Sequence, residues 1–416
     1  MKITVAGKSL RVPAAVDMAP AILVVWLLAV QLSTGVAEIL LAACLVATLL
    51  ARRSPISAES WPLGWRSLLT GGPATRWVPW LWLAFVIWYL LSVVFSVEFA
   101  SSLAKTPKLF RYVLFFLPLA IPWRGRHWRA AFWIQLPLMV ILGWFALQSL
   151  REGSDRAITY NMHYNTLGQM SAAISLLLLA AFLYGPVSAK RERYLFLLGS
   201  AASAGVMIVT LSRAAWLAWW LGVVALVLFR LPRRVALIAL LILVLLPIIA
   251  IPVMQATRAD MFDLSDPEFT RRYDMWRMAM AVVKDHPLTG LGPGSLDLVY
   301  DEYKTGVLVG DDKQWLHSHN DMFTVAVRHG IPGAAIWVIL ALVAYVVFVR
   351  RLWRFPRSPG SWLKAGFAGA GASLHLFYLF GCVHDNYPIY IKANLLLLLY
   401  GVYVAADRSL AKQPQE

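Results

Sequence analysis

Charge is scarce in this chain: Asp, Glu, Lys and Arg together make up 14% of 416 residues, against 60% hydrophobic. A water-soluble protein of that composition would need a core larger than one chain of this length can enclose, so its solvent is largely lipid. Cysteine is scarcer still. Cys44 and Cys382 both sit in apolar segments, which argues against a structural disulfide or metal site and reads as small packing residues. No cleavage site and polar mature domain follow the first apolar run, so the first helix is expected to be retained. Internal repeats and low-complexity segments are not evident, although inverted repeats can hide at this level. Strict alternation is missing too: the apolar runs are continuous, which favours a helical bundle over a barrel, because an open sheet would leave backbone groups unpaired in lipid.

What the chain does have is runs long enough for helices that cross about 30 Å of hydrocarbon. They lie near 18–34, 35–51, 77–95, 107–122, 130–148, 165–186, 195–211, 213–230, 235–255, 322–349, 365–384 and 389–406, with a break expected near Gly330 and Pro332. The expected fold is all-α, a polytopic transmembrane bundle of about 12 helices with one long outer loop containing short helices. Residues 1–255 would hold nine helices, 256–321 the loop domain, and 322–416 the last three helices and the C-terminus.

The net charge of +16 invites a nucleic-acid reading, but the basic residues fall between apolar runs and not on one soluble face. Alternate loops carry them: Arg52, Arg53, Arg66 and Arg76; Arg124, Arg126 and Arg129; Lys190, Arg191 and Arg193; Arg230, Arg233 and Arg234; Arg350, Arg351, Arg354, Arg357 and Lys364. The positive-inside bias places these loops and both termini in the cytoplasm. The opposite loops are short except 256–321, which holds about half of the acidic residues. Its Asp and Pro content and its helix-like patch from Tyr273 to Val283 predict short amphipathic helices over the membrane mouth.

Chemistry-bearing residues collect on that outer side. Arg213, in Leu-Ser-Arg-Ala-Ala-Trp, lies at the outer interface, where arginine is unusual; it either snorkels to the interface or binds an anion. Arg271 and Arg272 precede Tyr-Asp-Met-Trp in the long loop. Paired guanidinium forks match diphosphate oxygens, and the competing reading is surface salt bridges to Asp266, Glu268 or Asp274. The Gly290–Gly294 segment lacks the Gly-Lys-Ser/Thr ending of a phosphate-binding loop and reads as a tight turn. Before the next apolar helix comes Trp315-Leu316-His317-Ser318-His319-Asn320-Asp321. An imidazole can serve as general base for a hydroxyl at neutral pH. The same cluster can be read as metal ligands, though His317, His319 and Asp321 would splay around a helix and no fourth ligand is evident, or as interfacial capping. Further candidates are Lys105, Lys108 and Arg111 in one outer loop, Arg151, Arg156, His163 and Asn165 in the next, and His384-Asp385-Asn386-Tyr387 in the last.

Three of these features, in this order, resemble the O-antigen ligase and polymerase superfamily. They are Ser212-Arg213-Ala214-Ala215-Trp216; Arg272-Tyr273-Asp274-Met275-Trp276 running on to His286-Pro287-Leu288-Thr289-Gly290-Leu291-Gly292-Pro293-Gly294; and His317-Ser318-His319-Asn320. They span about 205–335, while the first half matches only in hydropathy, and Ala214 stands where glycine is common. The resemblance implies a GT-C-like body in a bacterial inner membrane with the long loop in the periplasm. It implies transfer of a glycan from a polyprenyl (undecaprenyl) diphosphate carrier to a sugar hydroxyl of lipid A-core in lipopolysaccharide biosynthesis. Arg213 and Arg272 would hold the diphosphate and His319 would act as base, with His317 secondary because the family varies there. No cofactor, metal or nucleic-acid partner is implied; the partners are the donor, the acceptor and the bilayer. A diphosphate is already a good leaving group, so two arginines can absorb its developing charge, and direct attack inverts the anomeric centre without the paired carboxylates of soluble glycosidases. The 19 tryptophans suit interfacial anchoring.

An O-antigen polymerase or a protein O-oligosaccharyltransferase would use the same donor with another acceptor. A lipid-linked oligosaccharide flippase is the alternative from a different class. Transporters place ionisable or helix-breaking residues near the bilayer midplane, whereas here they gather at one interface and in one loop.

Overall fold

The computed structural model describes residues 2–5, 8–11, 15–32, 34–53, 77–106, 125–159, 163–184, 190–232, 234–245, 267–309 and 318–354, with scattered positions in 366–376. An antiparallel hairpin, β1 (Lys2–Val5) and β2 (Lys8–Arg11), precedes α1 (Ala15–Leu32) and α2 (Thr34–Arg53). Then come α3 (Trp77–Val94), α4 (Phe99–Lys105), α5 (Gly125–Trp133), α6 (Gln135–Arg151), α7 (Tyr164–Tyr184), α8 (Lys190–Val209), α9 (Arg213–Arg230) and α10 (Arg234–Leu245). The last described elements are α11 (Pro267–Asp285), α12 (Leu296–Tyr303), a 3-10 turn (Gly306–Leu308) and α13 (Asp321–Arg354).

The expected count of spanning helices is corrected. Among the described residues four helices are long and apolar enough to cross a membrane: Arg129–Arg151, Tyr164–Tyr184, Lys190–Val209 and Asp321–Val343. The runs expected at 18–34, 35–51, 77–95, 213–230 and 235–255 contain shorter apolar stretches, Met18–Leu27, Ile39–Thr48, Trp80–Val94, Arg213–Leu228 and Arg234–Leu245. Hydropathy alone does not separate a helix that faces lipid from an apolar one that packs on its neighbours. The expected spans at 107–122 and 389–406 lie outside the described residues, as does most of 365–384. The hairpin at the N-terminus is an addition to the all-α expectation.

The helix α7 forms the centre, buried along most of its length against α6, α8 and α9. Its contacts are held by short polar side chains as well as apolar packing. Ser200 Oγ donates to the Ser175 carbonyl (2.9 Å), and Trp219 Nε1 donates to Ser175 Oγ (3.0 Å), the kind of bond that ties helices together where water is absent. At the other end, Arg193 Nε donates to the Phe182 carbonyl (3.0 Å) and Arg230 Nε to that of Leu183 (2.9 Å). Two cations thereby satisfy carbonyls that the helix terminus leaves without amide partners. Cys44 is buried, its Sγ donating to the Ala19 carbonyl at 3.2 Å between α1 and α2, a packing role; Cys382 lies outside the described residues.

Candidate functional site

The break in α13 organises the face that carries the candidate residues. Gly330 leaves the helix with φ +69°, so Ile331 N donates to the Pro287 carbonyl (2.8 Å) and not to Val327. Pro332 has no N–H to offer Arg328. Two helical carbonyls are thus released, and the glycine-rich segment supplies both donors: Leu291 N to Val327 O (2.8 Å) and Gly292 N to Arg328 O (3.1 Å). Side chains are excluded from this seam. A Cβ on Gly330 would overlap the Leu288 carbonyl, and one on Gly290, at φ +67°, would lie 2.6 Å from the Arg328 carbonyl carbon. The tight turn expected at 290–294 is therefore a latch on a membrane helix. The chain leaving α3 closes over it, with Val97 N donating to Leu291 O (3.1 Å) and Ser101 Oγ to Gly294 O (2.8 Å).

Just before α13, Asn320 Oδ1 accepts from the amides of Met322 (2.9 Å) and Phe323 (3.1 Å), capping the helix. Ser318 Oγ donates to the Asn320 carbonyl at 2.8 Å. His319, between them, has φ +48°, a left-handed conformation that costs a non-glycine residue about 1 kcal/mol and that the flanking bonds hold in place. Its side chain is half-buried. The Ser318 carbonyl receives Trp276 Nε1 at 2.9 Å, and the Trp276 ring lies 6.2 Å from that of Phe323.

Trp276 belongs to α11, one turn after Arg272, so both project from one face. Arg272 is half-buried and Arg271 exposed. The adjoining stripe is apolar: Met275 and Met278 pack with Tyr300 and Leu308, and Ala279 and Val282 with Leu291 and Val327. Asp274 is buried and accepts Val307 N at 2.9 Å, with Arg277 Nη1 4.0 Å from its other oxygen. Arg277 also lies over the Tyr273 ring, 4.7 Å from its centre.

Arg213 opens α9, after a turn in which Leu211 takes φ +53°. Ser212 Oγ donates to Asn165 Oδ1 (2.9 Å) and Ala157 N to Val209 O (3.0 Å), so the start of α9 is tied to the α6–α7 connection. Arg156 lies over Tyr164, Cζ 4.1 Å from the ring centre, and His163 packs on the same ring at 3.9 Å. Arg151 is exposed at the end of α6. The stem of Lys105 lies over Gly294, where a Cβ would meet its Cγ at 2.6 Å. Of the other candidates, Lys108, Arg111, His317 and His384 to Tyr387 lie outside the described residues. Among the described residues no group of three or more His, Cys, Asp and Glu is placed to hold a metal ion.

Sequence reasoning passed over His329. It is buried one residue before the break, Nδ1 2.7 Å from Ser92 Oγ, its carbonyl accepting Trp88 Nε1 at 2.8 Å, its ring 4.8 Å from that of Tyr89. The signal was an ionisable residue inside an apolar run.

Residues 194–338, about a third of the chain, match the sequence model of a family described as O-antigen ligase. The match encloses Arg213, the Arg272–Trp276 turn, the glycine-rich latch and His319. Among curated proteins none matches the chain.

Proposed function

We propose that this chain, similar over residues 194–338 to O-antigen ligases, is a membrane glycosyltransferase that moves a glycan from a polyprenyl diphosphate carrier to a sugar hydroxyl of lipid A-core. The observation that carries the reading is the Trp276–Ser318 bond: it fastens the helix bearing Arg272 to the turn bearing His319, so a phosphate-matching cation and a proton acceptor share one rim. Arg213, at the start of α9, is the second cation. In the reaction the acceptor hydroxyl attacks the anomeric carbon from the face opposite the diphosphate. The carbon–oxygen bond to the carrier breaks as the new glycosidic bond forms, and His319 takes the hydroxyl proton. Charge that grows on the departing diphosphate is met by Arg213 and Arg272, whose forks bind oxyanions bidentately. The anomeric centre inverts.

Orientation follows from the distribution of charge. The basic loops and termini face the cytoplasm, and the site opens on the periplasmic side. The domain limits proposed from sequence, 1–255, 256–321 and 322–416, are kept with that orientation.

The test is reconstitution of the purified full chain with polyprenyl-diphosphate O-glycan and lipid A-core, followed by gel analysis of the lipopolysaccharide. A shifted ladder supports the ligase. Lengthened glycan on the carrier replaces it with a polymerase, and unchanged lipids in both pools, with or without magnesium or calcium, overturn the transferase reading.

A further inference from the structure

The connection between α6 and α7 takes no part in the transfer as proposed, yet it is bonded to the turn that precedes Arg213. Ser149 Oγ accepts Ile158 N and Ser149 O accepts Ser154 N, both at 3.0 Å, which folds the connection back on the end of α6. Ala157 N then bonds to Val209 O, and Asn165 to Ser212. Arg156 is next in the chain to the first of these contacts and Arg213 to the second, so the two residues flank one junction.

Arg156 is half-buried, and among the described residues it makes the Tyr164 ring contact and no ion pair. Its acidic neighbours Glu152 and Asp155 are exposed to solvent. A guanidinium lying over an aromatic ring has its plane held, which leaves the in-plane N–H edge for a ligand. A partly desolvated cation with no carboxylate against it is stabilised by an anion from outside. We infer that Arg156, presented on Tyr164, is a phosphate-binding residue that extends the Arg213 site along the rim. The phosphate comes from a membrane glycolipid, either the diphosphate of the donor or a phosphate on the acceptor. The assignment of those lipids rests on the proposed function; the phosphate chemistry rests on Arg156 and Tyr164.

The test uses the full chain in lipid nanodiscs and the variants Arg156→Ala, Arg156→Lys and Tyr164→Leu, each checked for an unchanged melting temperature. Binding of polyprenyl diphosphate, and of lipid A-core before and after phosphatase treatment, is measured beside the KM for each substrate. Arg156→Ala is expected to weaken binding and raise KM about tenfold for one phosphate-bearing lipid, with the loss carried mostly by KM. Arg156→Lys, which keeps the charge without the planar fork, recovers part of it, and Tyr164→Leu falls between. A loss confined to polyprenyl diphosphate identifies the donor as the source; a loss confined to lipid A-core and erased by phosphatase identifies the acceptor. Unchanged binding and KM for both lipids overturn the inference. If the wild-type chain transfers nothing, the ligase reading fails by itself, and the binding measurements still decide the role of Arg156.

Discussion

Trp276 Nε1 donates to the carbonyl of Ser318 across 2.9 Å, and that bond joins a helix of the long loop to the entrance of a membrane-spanning helix. Replacing Trp276 by Phe keeps the ring and removes the donor. The expected cost in stability is about 1 kcal/mol, while turnover falls about tenfold because Arg272 and His319 lose their common reference. Melting temperature and kcat measured on the same preparation check this.

His319→Gly separates chemistry from architecture. Glycine takes φ +48° without strain, so the variant is expected to melt within about 1 kcal/mol of wild type, yet to lose transfer by roughly 100-fold or more because the proton acceptor is gone. An active glycine variant would remove His319 from the reaction.

The two arginines of α11 should not be equivalent. Arg271 is exposed and Arg272 half-buried on the Trp276 side, so Arg272→Ala is expected to raise the donor KM by about two orders of magnitude, and Arg271→Ala by less than about threefold. Arg272→Lys keeps charge but not the fork and should recover only part. Donor titrations at saturating acceptor distinguish the three.

Gly330→Ala places a methyl group on the Leu288 carbonyl in a backbone conformation that alanine avoids. A loss of more than about 2 kcal/mol is expected, visible as reduced accumulation in the membrane and early thermal unfolding. Pro332→Ala should be milder, since the amides and carbonyls of the latch are all kept.

Local patterns carried some of this organisation and long-range bonds carried the rest. The span at Tyr164–Tyr184 was legible because its apolar run is uncharged, that at Asp321–Val343 because its run is long, and the interruption at Gly330 because glycine close to proline disrupts a helix. The number of spans was not legible: Met18–Leu27 and Arg213–Leu228 are apolar in the same way as longer stretches, and hydropathy does not separate a helix that faces lipid from an apolar one that packs on its neighbours. Arg213 stood out in sequence because charge is rare around it, Arg272 because it forms an arginine pair with Arg271, and His319 because an imidazole can act as a base. The pairing of 287–292 with 327–331 could not be read, since backbone amides and carbonyls carry no side-chain signature. His329 escaped because its partners, Trp88 and Ser92, lie in a helix far away in the chain.

That pairing also bears on how the protein is made. Leu291 and Gly292 emerge from the ribosome before the carbonyls of Val327 and Arg328 that they serve. The broken hydrogen-bond ladder of α13 is completed by donors made earlier in the chain, and a buried carbonyl left without one costs about 1–3 kcal/mol. The loop and the helix are thus one folding unit, and neither end of the seam is complete without the other.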